Sequence, residues 1–102
     1  MKLASLAILA AVLIFFTGVA SADTAQVSIK DFKFRPDTVT IKKGDVVAWT
    51  NMDPVPHDVK FKDFESTDMK KGKTYSKTFN EAGTFDYSCG IHPGMHGRVK
   101  VV

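Results

Sequence analysis

A single cysteine stands in the 102-residue chain, so no disulfide can form within it. There is no internal repeat and no low-complexity tract. No Gly-rich phosphate loop of the nucleotide-binding kind is present, which removes the usual cradle for a phosphate. Charge of one sign is also in short supply. Fourteen Lys and Arg oppose eleven Asp and Glu, for a net +3, too weak a balance to imply a nucleic-acid partner. Apolar runs are scarce too, and only one is long.

That run opens the chain. Lys2 gives a positive start, the stretch from Leu3 to Phe16 is almost wholly apolar, and Ala20-Ser21-Ala22 offers a small-x-small cleavage site before Asp23. This is the pattern of a secretory leader, although the run approaches the length of a membrane span. The Ala-Ser-Ala ending favours cleavage. The expected organisation is a cleaved leader over 1–22 and one domain over 23–102. The domain is placed in the periplasm or a comparable extracytoplasmic space, with no stable membrane insertion once the leader is gone. No cysteine follows the apolar run, which excludes a lipidated N-terminal cysteine. An oxidising compartment is hostile to a lone thiol, and metal ligation would protect it. A domain this small also has a limited core and gains from such a cross-link.

From Asp23 onward the apolar residues recur with period two. Val27 and Ile29 alternate with polar neighbours, Phe32 and Phe34 flank Lys33, and Val39 and Ile41 repeat the pattern. These are half-buried strands. Lys42-Lys43-Gly44-Asp45 is a turn, and Val46–Asn51 is apolar on both faces, as a central strand should be. Trp49 within it is a core residue. After a loop with Pro54 and Pro56, His57, Val59 and Phe61 share one face, and Asp58, Lys60 and Lys62 the other. The polar stretch 63–73 is expected to be a loop with an edge strand, with a helical turn as the alternative. Thr74–Phe79 is another strand; Lys77 falls on its apolar face, which an edge location would accommodate. In Thr84–Cys89 the inward set is Phe85, Tyr87 and Cys89, and Val99 and Val101 mark the last strand. About seven short strands without a convincing helix predict an all-β fold, an antiparallel sandwich or barrel.

The chemistry gathers in Tyr87–Gly97. Cys89, His92 and Met95 are spaced Cys-x2-His-x2-Met, and one further inward histidine, His57, lies upstream. Taken singly, each residue has an ordinary explanation: a satisfied core histidine, an inert buried thiol, a packing methionine. Their conjunction at the ends of inward strand faces does not. His57 begins one strand and Cys89 ends another, so antiparallel neighbours would bring both to one pole. Two imidazoles, a thiolate and a weak thioether suit the trigonal His2Cys arrangement of blue-copper centres. Zinc would prefer thiolates, imidazoles or a carboxylate over a thioether, and calcium or magnesium would require oxygen ligands.

Residues Lys43–Asn51, Pro56-His57-Asp58-Val59 and Gly83–Gly97 resemble the cupredoxins, the blue copper proteins of the plastocyanin–azurin group. The Cys-x2-His-x2-Met loop is most similar to its amicyanin and pseudoazurin branches. The resemblance implies a Greek-key β-sandwich holding one copper ion per chain through His57, Cys89, His92 and Met95. It also implies single-electron transfer between exported redox proteins, and not an enzyme. His92 would be the electron port, inside an apolar docking patch of Val55, Pro56, Ile91 and Pro93. Lys60, Lys62, Lys70, Lys71 and Lys73 would form a basic flank for an acidic partner. A monomer is expected. His96 is read as an exposed neighbour of Met95. Asp58 departs from the asparagine common at that position; its side-chain bond to the ligand loop should be altered, and its charge should lower the reduction potential. A copper carrier or scavenger is the competing reading. A Cys89 nucleophile with a histidine base is weaker, because no oxyanion hole or role for Met95 accompanies it.

Overall fold

The computed structural model describes residues 22–102, so the predicted leader lies outside the described residues apart from Ala22. In β1 (Thr24–Lys30) the alternation becomes literal: Val27 and Ile29 are buried, Ser28 and Lys30 exposed. Seven strands follow: β2 (Lys33–Arg35), β3 (Thr38–Ile41), β4 (Val46–Asn51), β5 (Lys60–Phe61), β6 (Thr74–Thr78), β7 (Gly83–Ser88) and β8 (His96–Val101). They form two four-stranded sheets, ordered β2-β1-β4-β6 and β3-β8-β7-β5. Among the described residues there is no helix. The all-β sandwich predicted from the sequence is the fold observed.

Several details differ from expectation. His57, expected to begin a strand, lies outside the regular strands and meets Met69 in an isolated bridge. The sheets are mixed: β1 pairs with β4, and β3 with β8, in parallel. Alternation reports which face of a strand is buried and is blind to strand direction. The stretch 63–73 contains no strand. It is held by isolated bridges between Lys60 and Glu65 and between His57 and Met69. Its two large apolar residues are too few to build an inward face, so it straps across β5 instead. Met69 is buried beneath it, and the Ser66 hydroxyl accepts the Val59 N–H at 2.9 Å.

Trp49, fully buried in β4, joins the layers. Its ring stacks on Tyr75 at 5.9 Å and meets Tyr87 and Phe61 of the opposite sheet edge-on at 5.4 and 5.9 Å. Aromatic pairs in this geometry add to the area they bury. Strand β6 is an edge, as Lys77 required, and the Lys77 ammonium rests 4.2 Å from the centre of the Phe64 ring. An inward charge on an edge strand discourages pairing with another chain. Antiparallel pairing of β5 with β7 sets the residues before Lys60 beside those after Ser88. His57 and Cys89 occupy those flanks.

Tyr87 pairs with Gly97 across β7 and β8. Its phenol occupies the space a Gly97 side chain would need, and burial pushes the hydroxyl up to about 12. Gly94, by contrast, has nothing within 4 Å of an added Cβ. Gly97→Ala should therefore destabilise the fold by about 1–3 kcal/mol through overpacking, whereas Gly94→Ala should stay within about 0.5 kcal/mol of the parent. Denaturant unfolding of the two variants checks the contrast.

Candidate metal centre

His57 is fully buried and fixed on both sides. Its backbone exchanges two hydrogen bonds with Met69, at 3.2 and 2.8 Å. Its Nε2 lies 2.8 Å from Asp53 Oδ2, and its Nδ1 lies 3.7 Å from Cys89 Sγ. A carboxylate at Nε2 places the ring hydrogen there and leaves the Nδ1 lone pair facing the sulfur. The sulfur, 1% exposed, also accepts the Asp58 backbone N–H at 3.5 Å.

The loop after β7 folds back on itself. Cys89 N–H donates to the Met95 carbonyl and Met95 N–H to the His92 carbonyl, both at 3.2 Å. Met95 is buried in the core cluster. The His92 ring stands 4.8 Å from that of His57, and its Nε2 is buried without a hydrogen-bond partner among the described residues. Three of the four predicted residues are thus brought together by their side chains, and Met95 sits buried on the same loop. No three His, Cys, Asp or Glu side chains among the described residues close into a compact cage. His57 is the residue that meets both of the others, Cys89 through Nδ1 and His92 ring to ring. His96 is exposed at the start of β8. A buried sulfur and two imidazoles are donor types that suit a soft cation.

The alternation puts Asp58 on an outward face, yet it is 2% exposed. It lies one residue from His57, outside any regular strand, where alternation does not bind. Its Oδ1 accepts the Gly90 N–H at 2.5 Å, so the aspartate keeps a bond to the loop. The Glu65 carboxyl hydrogen-bonds to Asp58, and that bond and the neighbouring charge push Glu65 above its ordinary value. A side chain at Gly90 would displace the Glu65 carboxyl and crowd that of Asp58.

Sequence reasoning missed the residues that organise this pole. Asn51, fully buried, donates to the carbonyls of Val55 and Met69 at 2.9 and 2.8 Å and accepts the Asp53 N–H at 2.9 Å. Asp53 then accepts the N–H groups of Asp31 and Phe32 at 2.7 and 2.9 Å besides meeting His57. Burial pushes the Asp53 carboxyl up, but the Phe32 and Asp31 N–H groups and the His57 ring outweigh it and hold it below its ordinary value. Phe32, an inward partner of Phe34 by period, instead adopts φ 58° in a turn and is 47% exposed. Its ring lies edge-on to His57 at 5.0 Å and to His92 at 4.8 Å. An acid four residues before a buried histidine, inside a proline-rich loop, was the one available signal.

The profile of the cupredoxin-like domain family matches residues 4–101. Amicyanin-alpha of Methylorubrum extorquens is 42% identical over 89 residues, which span 80% of this chain and 75% of the relative. A plastocyanin of Scenedesmus fuscus is 34% identical over 83 residues, 67% of this chain and 85% of the relative. Among solved structures, the amicyanin of Paracoccus versutus superposes with a TM-score of 0.74 at 40% identity, covering 81% of this chain and 85% of its own. A variant amicyanin in its Cu(I) form gives 0.76 at 38% identity, covering 82% and 86%.

Asp53→Ala should cost about 1–3 kcal/mol, since it strips an acceptor from buried donors. It should also free the 31–32 turn, readable as faster amide exchange at Asp31 and Phe32. Unchanged stability and exchange would remove Asp53 from its organising role.

Proposed function

The chain belongs to the cupredoxin-like family, and from that membership we propose that it is a blue copper protein carrying single electrons between exported redox partners. The observation that carries this reading is the 3.7 Å approach of His57 Nδ1 to Cys89 Sγ in a pocket closed to water. One copper ion is the cofactor; His57, Cys89 and His92 would hold it as strong donors and Met95 as a weak one. Bound there, copper supplies one-electron exchange between Cu(I) and Cu(II).

The rest is the work of the chain. Asp53 and the Met69 bridge hold the His57 ring, so it need not move when the charge changes. The Asp58 N–H draws electron density from the thiolate and tunes the potential. Burial of Cys89 and Met95 keeps water from the sulfurs. The ionised Asp58 carboxylate favours the more positive oxidised state and lowers the potential.

The docking surface is the apolar pole. Pro56, Ile91 and Pro93 are exposed there and Val55 is half-buried. The flanking lysines 60, 62, 70, 71 and 73 are all exposed, which suits a partner with an acidic rim. The chain acts as a monomer and as a carrier of electrons, not an enzyme. Export requires the leader over 1–22 to be cut, leaving one domain from Asp23. The Asp23 N–H already donates to Asp45 at 3.1 Å, so a new α-ammonium at Asp23 would meet a carboxylate. A mature mass beginning at Asp23 checks the boundary. Copper delivery is disfavoured by the burial of His57 and Cys89, because a carrier must release its ion.

Reconstitution with Cu(II) should give an intense blue thiolate band that bleaches with ascorbate and returns with ferricyanide while copper stays bound. Loss of copper on each cycle would support a carrier, and absence of the band would contradict both the ligand set and the function. In the loaded protein Asp58→Asn should raise the midpoint potential; an unchanged midpoint would refute the assigned role of its charge.

A further inference from the structure

Apart from the C-terminal Val102, the large apolar side chains left exposed among the described residues are Phe32, Met52 and Ile91. All three belong to the pole of the candidate centre: Met52 follows β4, and Ile91 precedes His92. Phe32 stands out because holding it there is unfavourable. Both Asp31 and Phe32 take left-handed backbone angles, φ 54° and 58°, a conformation that non-glycine residues normally avoid. The turn is maintained by the carboxylate of Asp53, which receives both N–H groups. The same carboxylate fixes His57. One acid therefore sets the exposed phenyl ring and the buried imidazole relative to each other.

The inner edge of the Phe32 ring touches both histidines, with centroids 5.0 Å from His57 and 4.8 Å from His92. Nearly half of Phe32 faces solvent, while the His92 Nε2 beneath this pole is buried. His92 itself is half-buried, and the Phe32 ring packs against it.

We propose that Phe32 is the outer residue of the electron path, the contact through which a redox partner couples to His92. Asp53 is the positioning residue that holds it over the histidine pair. This rests on the copper reading above. In the step, one electron leaves a reduced partner, crosses the Phe32–His92 contact and reduces the oxidised centre; the partner is oxidised by one electron and no proton moves. Phe32 thereby adds an aromatic anchor to the docking patch, and the partner it fits presents an apolar face around its own redox group. The three-ring cluster also shields His92 Nε2 from water, which limits solvent rearrangement around that atom when the charge changes.

The test compares the copper-loaded parent with Phe32→Ala, Phe32→Leu and Phe32→Trp, measuring electron self-exchange between Cu(I) and Cu(II) copies by NMR line broadening. Phe32→Ala should slow self-exchange about tenfold, the size of a lost aromatic anchor in the encounter. Phe32→Leu should recover part of the rate and Phe32→Trp most of it. A second readout is independent of electron transfer. In the Cu(I) protein, the free ring N–H of His92 should exchange with water faster in Phe32→Ala than in the parent, and at the parental rate in Phe32→Trp. If Phe32→Ala transfers electrons as fast as the parent or faster while keeping its blue band, Phe32 obstructs or is irrelevant and the proposal is overturned. It is equally overturned if tryptophan restores neither rate. A parent chain that shows no blue band would overturn the copper reading itself, a result distinct from either.

Discussion

An imidazole nitrogen held 3.7 Å from a buried sulfur depends on three separate restraints. Asp53 anchors the far nitrogen of His57, the bridge to Met69 clamps its backbone, and the Asp58 N–H meets the sulfur from the side. None of these groups lies next to Cys89 in sequence. The contact exists because β5 and β7 run antiparallel, so the chain entering β5 lies beside the chain leaving β7. A soft donor pair held by three such restraints has little room to move, and little movement is what an electron carrier requires. If its ligands rearranged at each change of charge, every transfer would carry that cost.

The same economy runs through a domain with little core to spare. Trp49, Tyr87 and Phe61 tie the two sheets together, and the inward Lys77 blunts an exposed edge. At the pole, Asn51 and Asp53 collect donors and acceptors from four chain segments. A few buried polar side chains thus do for the loops what ladder hydrogen bonds do for the strands.

Much of this was legible in the letters. Val27, Ile29, Val99 and Val101 announced their strands through strict alternation, and Trp49 its burial through the apolar run around it. Cys89, His92 and Met95 announced themselves by spacing. His57 followed because it was the one inward histidine left. What stayed hidden shares a cause. Strand direction leaves no mark on a period of two, so the parallel β1–β4 and β3–β8 pairs went unseen. Phe32 broke its alternation because the Asp53 carboxylate, 21 residues away, imposes a turn on it. Asp58 departs from its period for a similar reason: its partner is the Gly90 N–H, 32 residues distant. Periodicity reports local burial, and these are long-range polar contacts.

X-ray absorption at the copper edge of the reconstituted protein tests the central claim most directly, since it counts the donors around the metal. Two imidazole nitrogens with one short bond to sulfur, the latter lost in Cys89→Ser, are the predicted set. A shell of nitrogen and oxygen alone, or one that keeps its nitrogen count after His57→Ala, would contradict the account.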